Sequence, residues 1–203
     1  MAADETAVEG SARQPRPEVV LVRHGETART IGGRHTGRTD VPLTEVGRHQ
    51  AEHVAARLAE RHFTVVLTSP LQRAADTSAL AGFAGAEPSE DVVEWDYGAY
   101  EGRTTEEIRA ERPGWSLWRD GVPGGETAAQ VAERADRVVQ RLRRAEGDAL
   151  VFSHGHFLRV LAARWLGLNA DAGRFFTLRP AGTSILGWER EQPVLARWNE
   201  PVG

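Results

Sequence analysis

The 203-residue sequence predicts an α/β fold built on a mostly parallel, doubly wound sheet. Short β-branched runs alternate with helical patterns along the chain, and three of those runs end in polar or turn-forming residues. Strands that alternate with helices form largely parallel sheets, which bind ligands just beyond the carboxyl ends of their strands. The length suits one domain with a single substantial core.

Three strand, loop and helix units define the predicted sheet. Their apolar, β-branched runs cover residues 18–22, 63–68 and 149–152. Helical patterns follow the second and third runs over residues 71–80 and 158–165. The polar side chains that come after the three strands are Arg23, His24, Arg73 and His154. Because the carboxyl ends of parallel strands meet at one edge of a sheet, we expect these side chains to share a pocket.

The remaining elements are two long helices and a closing hairpin. One helix is predicted from about Thr44, a natural N-cap, to Arg61. Another is predicted from about Glu126 to Arg144, and its buried stripe consists of Val131, Ala135, Val138 and Leu142. The hairpin joins residues 183–188 to 194–198. Residues 1–17 are expected to be a disordered tail, and residues 18–203 a single domain.

Composition excludes several classes of chemistry. The chain has no Cys, which removes thiolate nucleophiles, Cys-ligated zinc and disulfides. All 25 basic residues are Arg, so Schiff-base chemistry and the lysine-dependent nucleotide loop are absent. The net charge of −4 gives no overall attraction to nucleic acid. No stretch approaches the ~20 apolar residues of a membrane span, and the expected compartment is the cytoplasm.

The strand-end side chains fit the requirements of phosphoryl transfer. Such a site needs a nucleophile, cationic donors around the phosphoryl oxygens and a proton source for the leaving oxygen. His24 is the candidate nucleophile, Arg23 and Arg73 are the candidate clamp, His154 is a further donor, and Glu94 is the candidate acid. Taken singly, each of these residues also fits a solvated turn or an ordinary surface position. Their convergence at three strand ends favours the catalytic interpretation.

Four short motifs occur in order along the chain. They are Arg23-His24-Gly25, Ser69 to Arg73, Glu94 with Tyr97-Gly98 and Glu101-Gly102, and Ser153-His154-Gly155. Together they resemble the motifs of the histidine phosphatase, or phosphoglycerate mutase-like, superfamily, and the resemblance covers residues from Glu18 to about Trp188. The resemblance implies a three-layer α/β/α sandwich, catalysis without a metal or other cofactor, and a phosphohistidine intermediate.

Within that superfamily, the acidic loop is similar to the corresponding loop of a phosphatase branch. The chain has Trp95 and Asp96 after the acid, where mutases carry Arg and His, and it lacks their longer substrate-binding insert. Arg29 also stands where many relatives have Trp. The branch that the chain resembles contains actinobacterial acid phosphatases and a fungal sedoheptulose-bisphosphatase. The resemblance therefore implies hydrolysis of small phosphorylated metabolites, such as sugar phosphates or bisphosphates.

The substrate pocket is expected to include residues beyond the reacting centre. The candidates for substrate binding are Thr30, Thr36, Gly37, His156 and Arg159. His156 and Arg159 share one face of a helix near its N-terminus, where a second anionic group fits. Arg159 equally fits a structural ion pair with a carboxylate. Mutase-type transfer and a non-catalytic phospholigand-binding module remain alternatives, and a homodimer is left open.

One motif suggests a metal site and is set aside. His49, Glu52 and His53 follow the His-x-x-Glu-His order of inverted zinc peptidases. No motif for a third ligand is evident. We therefore interpret this segment as the solvated face of a helix and predict no metal ligand.

Overall fold

One six-stranded sheet organises the structure, a computed structural model that describes residues 16–201. The strands are β1 (Val19–Arg23), β2 (Val65–Thr68), β3 (Glu87–Pro88), β4 (Ala149–Ser153), β5 (Thr183–Glu189) and β6 (Gln192–Glu200). Their order in the sheet is β3-β2-β4-β1-β5-β6. The strands β3, β2, β4 and β1 are mutually parallel, whereas β5 runs antiparallel to β1, and β6 antiparallel to β5.

Helices pack against both faces of this sheet. The α-helices of the described residues are α1 (Ala28–Ile31), α2 (Glu45–Leu58), α3 (Gln72–Leu80), α4 (Thr105–Glu111), α5 (Leu117–Asp120), α6 (Ala128–Arg143) and α7 (Gly155–Trp165). The prediction of a mostly parallel sheet within an α/β/α sandwich is confirmed. The predicted closing hairpin is β5 and β6, which extend the parallel sheet at one edge.

Threonine caps fix where the two long helices begin. The Thr44 side chain accepts a hydrogen bond from the backbone N–H of Gly47 at 3.0 Å, as its N-cap prediction requires. Thr127 forms a capping box with Gln130, so α6 begins after Thr127, slightly later than predicted. Helix α2 ends at Leu58, before the predicted Arg61, whose side chain instead forms ion pairs with Glu18 and Asp148.

The central strands are buried on both faces because their side chains alternate between two cores. Val19 and Leu21 of β1 pack with α6 and α7, whereas Val20 and Val22 pack with α2 on the opposite face. The predicted stripe of α6 is buried at all four positions, which are Val131, Ala135, Val138 and Leu142. The two cores hold the strands rigidly, and the strand ends therefore have fixed positions.

The N-terminal segment and membrane topology complete the comparison with the sequence. Residues 1–15 of the expected tail lie outside the described residues. Arg16, which belongs to the same expected tail, places its guanidinium 4.6 Å from the ring centre of Trp188. Across residues 16–201, no helix has the length and apolarity needed to cross a bilayer.

Candidate active site

A cavity of about 350 Å³ lies at the carboxyl ends of the parallel strands. Strand β1 ends with Arg23 and delivers His24, while β2 leads through Ser69 to Arg73 in α3. Strand β4 leads to His154, the N-cap of α7. Arg23, His24 and Arg73 line this cavity as the sequence predicts, whereas His154 is fully buried beside Arg73 and is not part of the lining.

His24 is buried and held in one tautomer. The residue is 4% exposed, and its Nδ1 lies 2.7 Å from the carbonyl oxygen of Gly25. A carbonyl only accepts, so Nδ1 carries the proton and Nε2 keeps a lone pair. Burial and the charges of Arg23 and Arg73 hold the pKa of His24 well below its usual value. The imidazole is therefore neutral, as a nucleophile requires.

The loop that carries His24 packs tightly against α2. A Cβ added to Gly25 would lie 2.4 Å from the carbonyl oxygen of Gly47. Only glycine allows this approach of two backbones. The glycine of the Arg-His-Gly motif therefore fixes the position of the loop.

Arg73 is almost completely buried and is held by a set of acceptors. Its Nε donates to Nδ1 of His154 at 3.1 Å, and its terminal nitrogens donate to the carbonyl oxygens of Thr36, Gly37 and Thr39 at 2.9–3.1 Å. Burial lowers its pKa from the usual value. The planar guanidinium is locked in place while still lining the cavity.

Arg23 differs in having an unused buried donor. One terminal nitrogen donates to the carbonyl oxygen of Leu178. Its buried Nε has no hydrogen-bond partner among residues 16–201. Burying an unpaired donor costs roughly 1–3 kcal/mol, which an oxyanion in the cavity would offset.

His154 occupies a position behind Arg73. Its Nδ1 accepts from Arg73, and its Nε2 lies 2.8 Å from the hydroxyl oxygen of Ser69. Its ring centre is 5.2 Å from that of His24, and it is completely buried. Burial, followed by the charge of Arg73, keeps its pKa well below the usual value. With both nitrogens engaged, neutral His154 orients Arg73 in this state of the site.

Glu94 is anchored at the N-terminus of α7. Its Oε1 accepts from the backbone N–H groups of Trp95 and Phe157, each at 2.9 Å. Its Oε2 accepts from that of His156 at 3.1 Å. A helix N-terminus and three N–H donors suit a carboxylate. The group lines the same cavity as His24.

The five predicted substrate-binding residues occupy different places. Thr30, Thr36, His156 and Arg159 line the cavity. Gly37 is not among the residues that line the cavity. The backbone N–H of Gly37 donates to the carboxylate of Glu101, and its carbonyl oxygen accepts from Arg73. A Cβ at Gly37 would meet the carbonyl oxygen of Trp95 at 2.6 Å. Gly37 therefore supports Arg73 from behind.

Arg159 has an aromatic neighbour and no carboxylate partner among the described residues. Its Nε donates to the carbonyl oxygen of Gly173 at 3.0 Å, and its guanidinium lies 4.6 Å from the ring centre of Trp118. Burial lowers its pKa to about 10. The alternative that Arg159 forms a structural ion pair with a carboxylate is therefore not what the structure shows.

Tyr97 is a lining residue that sequence reasoning left out. Its hydroxyl oxygen lies 2.6 Å from Nδ1 of His156, and its ring centre lies 4.9 Å from that of His35. The Tyr97-Gly98 pair of the acidic loop is the sequence signal that marks this position. Tyr97 is buried and also lines the cavity.

The zinc-like motif lies away from the cavity on α2. His49 is exposed and its Nδ1 lies 3.0 Å from Oε2 of Glu52. Within residues 16–201, no cluster of three or more His, Asp or Glu side chains could hold a metal ion.

Comparison with known proteins identifies relatives across nearly the whole chain. The model of the histidine phosphatase superfamily (branch 1) matches residues 19–201. An acid phosphatase of Mycobacterium tuberculosis is 42% identical over 190 residues, which cover 90% of this chain and 94% of that protein. A sedoheptulose 1,7-bisphosphatase of Saccharomyces cerevisiae is 35% identical over 189 residues, which cover 76% of this chain and 69% of that protein.

Solved structures give the same result. The structure of an open reading frame product of Mycobacterium tuberculosis superimposes with a TM-score of 0.88 at 41% identity, covering 92% of this chain and 99% of that chain. A mycobacterial glucosyl-3-phosphoglycerate phosphatase solved with VO3 has a TM-score of 0.80 at 29% identity, covering 90% and 98% of the two chains.

Proposed function

The chain belongs to the histidine phosphatase superfamily and is a phosphatase, and we propose that it hydrolyses sugar phosphates or bisphosphates without a metal ion, through a phosphohistidine on His24. The observation that carries this proposal is the state of His24. Its Nδ1 is tied to Gly25, and its neutral ring faces a cavity flanked by Arg23 and Arg73. That arrangement supplies a nucleophile and the positive charge that phosphoryl transfer needs.

The first step transfers the phosphoryl group to His24. The Nε2 lone pair attacks phosphorus, and the bond to the leaving-group oxygen breaks in line with the attack. The guanidinium groups of Arg23 and Arg73 stabilise the negative charge on the phosphoryl oxygens, which is the role that Mg²⁺ has in other phosphoryl-transfer sites. The unpaired Nε–H of Arg23 is a donor that a phosphoryl oxygen satisfies.

Glu94 gives its proton to the leaving oxygen. Its Oε1 accepts two backbone N–H groups, whereas Oε2 accepts one and keeps room for a proton. The proton enters with the substrate, because the second ionisation of a phosphate monoester has a pKa of about 6. The phosphoester monoanion is therefore the productive substrate form for poor leaving groups.

The second step returns the enzyme to its starting state. The Glu94 carboxylate takes a proton from water, whose oxygen attacks the phosphohistidine. The phosphorus–nitrogen bond breaks, His24 recovers its lone pair, and Glu94 returns the proton to the phosphate, which leaves as the monoanion.

Arg159 supports substrates with a second anionic group. The terminal nitrogens of Arg159 have no hydrogen-bond partner among the described residues and lie at the cavity. A partly desolvated cation favours an anion beside it. One relative is a sedoheptulose 1,7-bisphosphatase, whose named substrate carries two phosphates.

Trapping the intermediate tests the proposal. Alkaline denaturation during turnover of a ³²P-labelled substrate should leave base-stable, acid-labile label on His24. His24→Ala should retain less than about a thousandth of wild-type turnover, because losing a covalent nucleophile costs orders of magnitude. His53→Ala, at an exposed position of α2, is the matched control.

Three outcomes would contradict the proposal. Turnover by His24→Ala close to that of the wild type would reject the nucleophile. A product in which phosphate has moved to another hydroxyl, with no inorganic phosphate released, would favour the mutase alternative. Absence of any turnover by the wild type would favour a binding module.

A further inference from the structure

We propose that His156 presents a neutral Nε2–H donor to a substrate hydroxyl group on the carbon adjacent to the ester carbon, the one that carries the phosphate. We propose that Tyr97 is the positioning residue that holds this donor in place. This inference rests on the phosphatase function proposed above. It assigns the substrate class as phosphate esters with a vicinal hydroxyl, and it gives Tyr97 a part in specificity.

The first step of the argument concerns the direction of the Tyr97–His156 hydrogen bond. The hydroxyl oxygen and Nδ1 are 2.6 Å apart. Burial raises the pKa of Tyr97 well above its usual value, so the phenol keeps its proton. No other acceptor for this hydroxyl is found among residues 16–201. The phenol therefore donates, and Nδ1 of His156 accepts.

It follows that the proton of neutral His156 is on Nε2. Burial, followed by the charge of Arg159, holds the pKa of His156 well below its usual value, so the imidazolium is disfavoured. A neutral imidazole that accepts at Nδ1 donates at Nε2. This donor has no protein partner within the part of the chain that the structure describes, although the ring lines the cavity.

Neighbouring rings restrict the orientation of His156. Its ring centre lies 5.4 Å from that of Trp118, 5.8 Å from that of Tyr97 and 6.0 Å from that of His35. Rotation of the imidazole would leave the Tyr97 hydroxyl without its acceptor in a buried position, which is unfavourable. The donor is therefore pre-organised before substrate binds.

The position of Glu94 shows which part of the substrate this donor meets. The backbone N–H of His156 donates to Oε2 of Glu94, the oxygen that faces the leaving group in the proposed mechanism. The His156 side chain extends from the same residue into the cavity. A hydroxyl on the carbon next to the ester carbon is the nearest polar group that a sugar or polyol phosphate offers there. An uncharged donor suits an uncharged hydroxyl.

Two substrates that differ by one hydroxyl test the inference. We would measure kcat/KM for propane-1,2-diol 1-phosphate and for n-propyl phosphate with the wild type, Tyr97→Phe and Tyr100→Phe. The wild type should prefer the diol by about tenfold, the effect of one hydrogen bond. Tyr97→Phe should reduce that preference to less than about threefold, because the ring loses its fixed orientation.

Tyr100→Phe is a matched control, because Tyr97 and Tyr100 are the two tyrosines of the sequence. The Tyr100 hydroxyl accepts from Arg112 at 3.0 Å and is absent from the cavity lining. This variant should keep the wild-type preference. In a His156→Gln background, where the side-chain amide supplies a donor without Tyr97, Tyr97→Phe should cause no further change in preference.

The tautomer is also measured directly, without turnover. Long-range ¹H–¹⁵N spectra of the wild type should show a protonated Nε2 and an unprotonated Nδ1 at His156. The inference is overturned by protonation at Nδ1, by a wild type that turns over both esters equally, or by an undiminished preference in Tyr97→Phe. A wild type that has the expected tautomer but hydrolyses neither ester would instead contradict the phosphatase proposal. The role of the His156 donor in substrate selection would then be rejected as well.

Discussion

Acidification should destabilise this protein already at mildly acidic pH, because three histidines are buried in neutral form. Burial lowers the pKa of His24, His154 and His156 well below the usual 6.5. In the unfolded chain the same groups take up protons near pH 6.5. The unfolded state then binds more protons, so stability is fully present above pH 6.5 and is lost as the pH falls towards the folded-state values.

The size of the effect follows from linkage. A histidine that titrates at 6.5 when unfolded and stays neutral when folded lowers the free energy of unfolding by about 2 kcal/mol between pH 7 and pH 5. Three such groups give about 6 kcal/mol, and His35, whose pKa burial lowers to a smaller degree, adds to this loss. The loss is a large part of the ~5–15 kcal/mol that stabilises a typical domain.

Urea unfolding at pH 7 and pH 5, followed by tryptophan fluorescence, measures this loss. The chain has six tryptophans, and Trp95, Trp115 and Trp165 are buried. His156→Gln should remove about a third of the pH dependence, since glutamine does not titrate. His53→Gln, at an exposed position, serves as the control. A wild-type loss below about 2 kcal/mol, or an undiminished loss in His156→Gln, would refute the reasoning.

Kinetic experiments separate the charged groups of the cavity. Glu94→Gln should lower kcat/KM for an alkyl phosphate by about 10²- to 10⁴-fold and much less for p-nitrophenyl phosphate, whose leaving group barely needs a proton; equal losses would reject the acid role. Activity should persist in EDTA, because Arg23 and Arg73 supply the charge; a loss reversed by zinc or magnesium would contradict this. Arg159→Ala should lower the ratio of kcat/KM for a sugar bisphosphate to that for a monophosphate by about 10- to 100-fold, and an unchanged ratio would leave Arg159 a packing role over Trp118.

Periodicity and turn residues predicted the long elements of the fold. The strands ending at Arg23, Thr68 and Ser153 each appear within one or two residues of their predicted bounds, and so does the C-terminal hairpin. Such segments bury one face or both, and burial imposes a period that a sequence displays. The two-residue strand β3 and the four-residue helices α1 and α5 are too short to show a period.

The candidate reacting groups were visible for a related reason. His24, Arg73 and His154 each follow a predicted strand, and parallel strands deliver their carboxyl ends to one edge. Arg73 and His154 lie 49 and 130 positions after His24 in the sequence, yet this rule places all three at one edge of the sheet. Their catalytic roles stay predictions until the trapping and substitution experiments are made.

By itself, the sequence determined the order of the elements, the family-like motifs and the side chains at the strand ends. Only the tertiary structure decided that His154 holds Arg73, that Gly37 lies behind the cavity and that Tyr97 bonds to His156. These contacts join residues 36 to 81 positions apart in different elements and loops. A local pattern records which face of an element is buried, whereas hydrogen-bond partners between loops are chosen by how the packed elements place them in space.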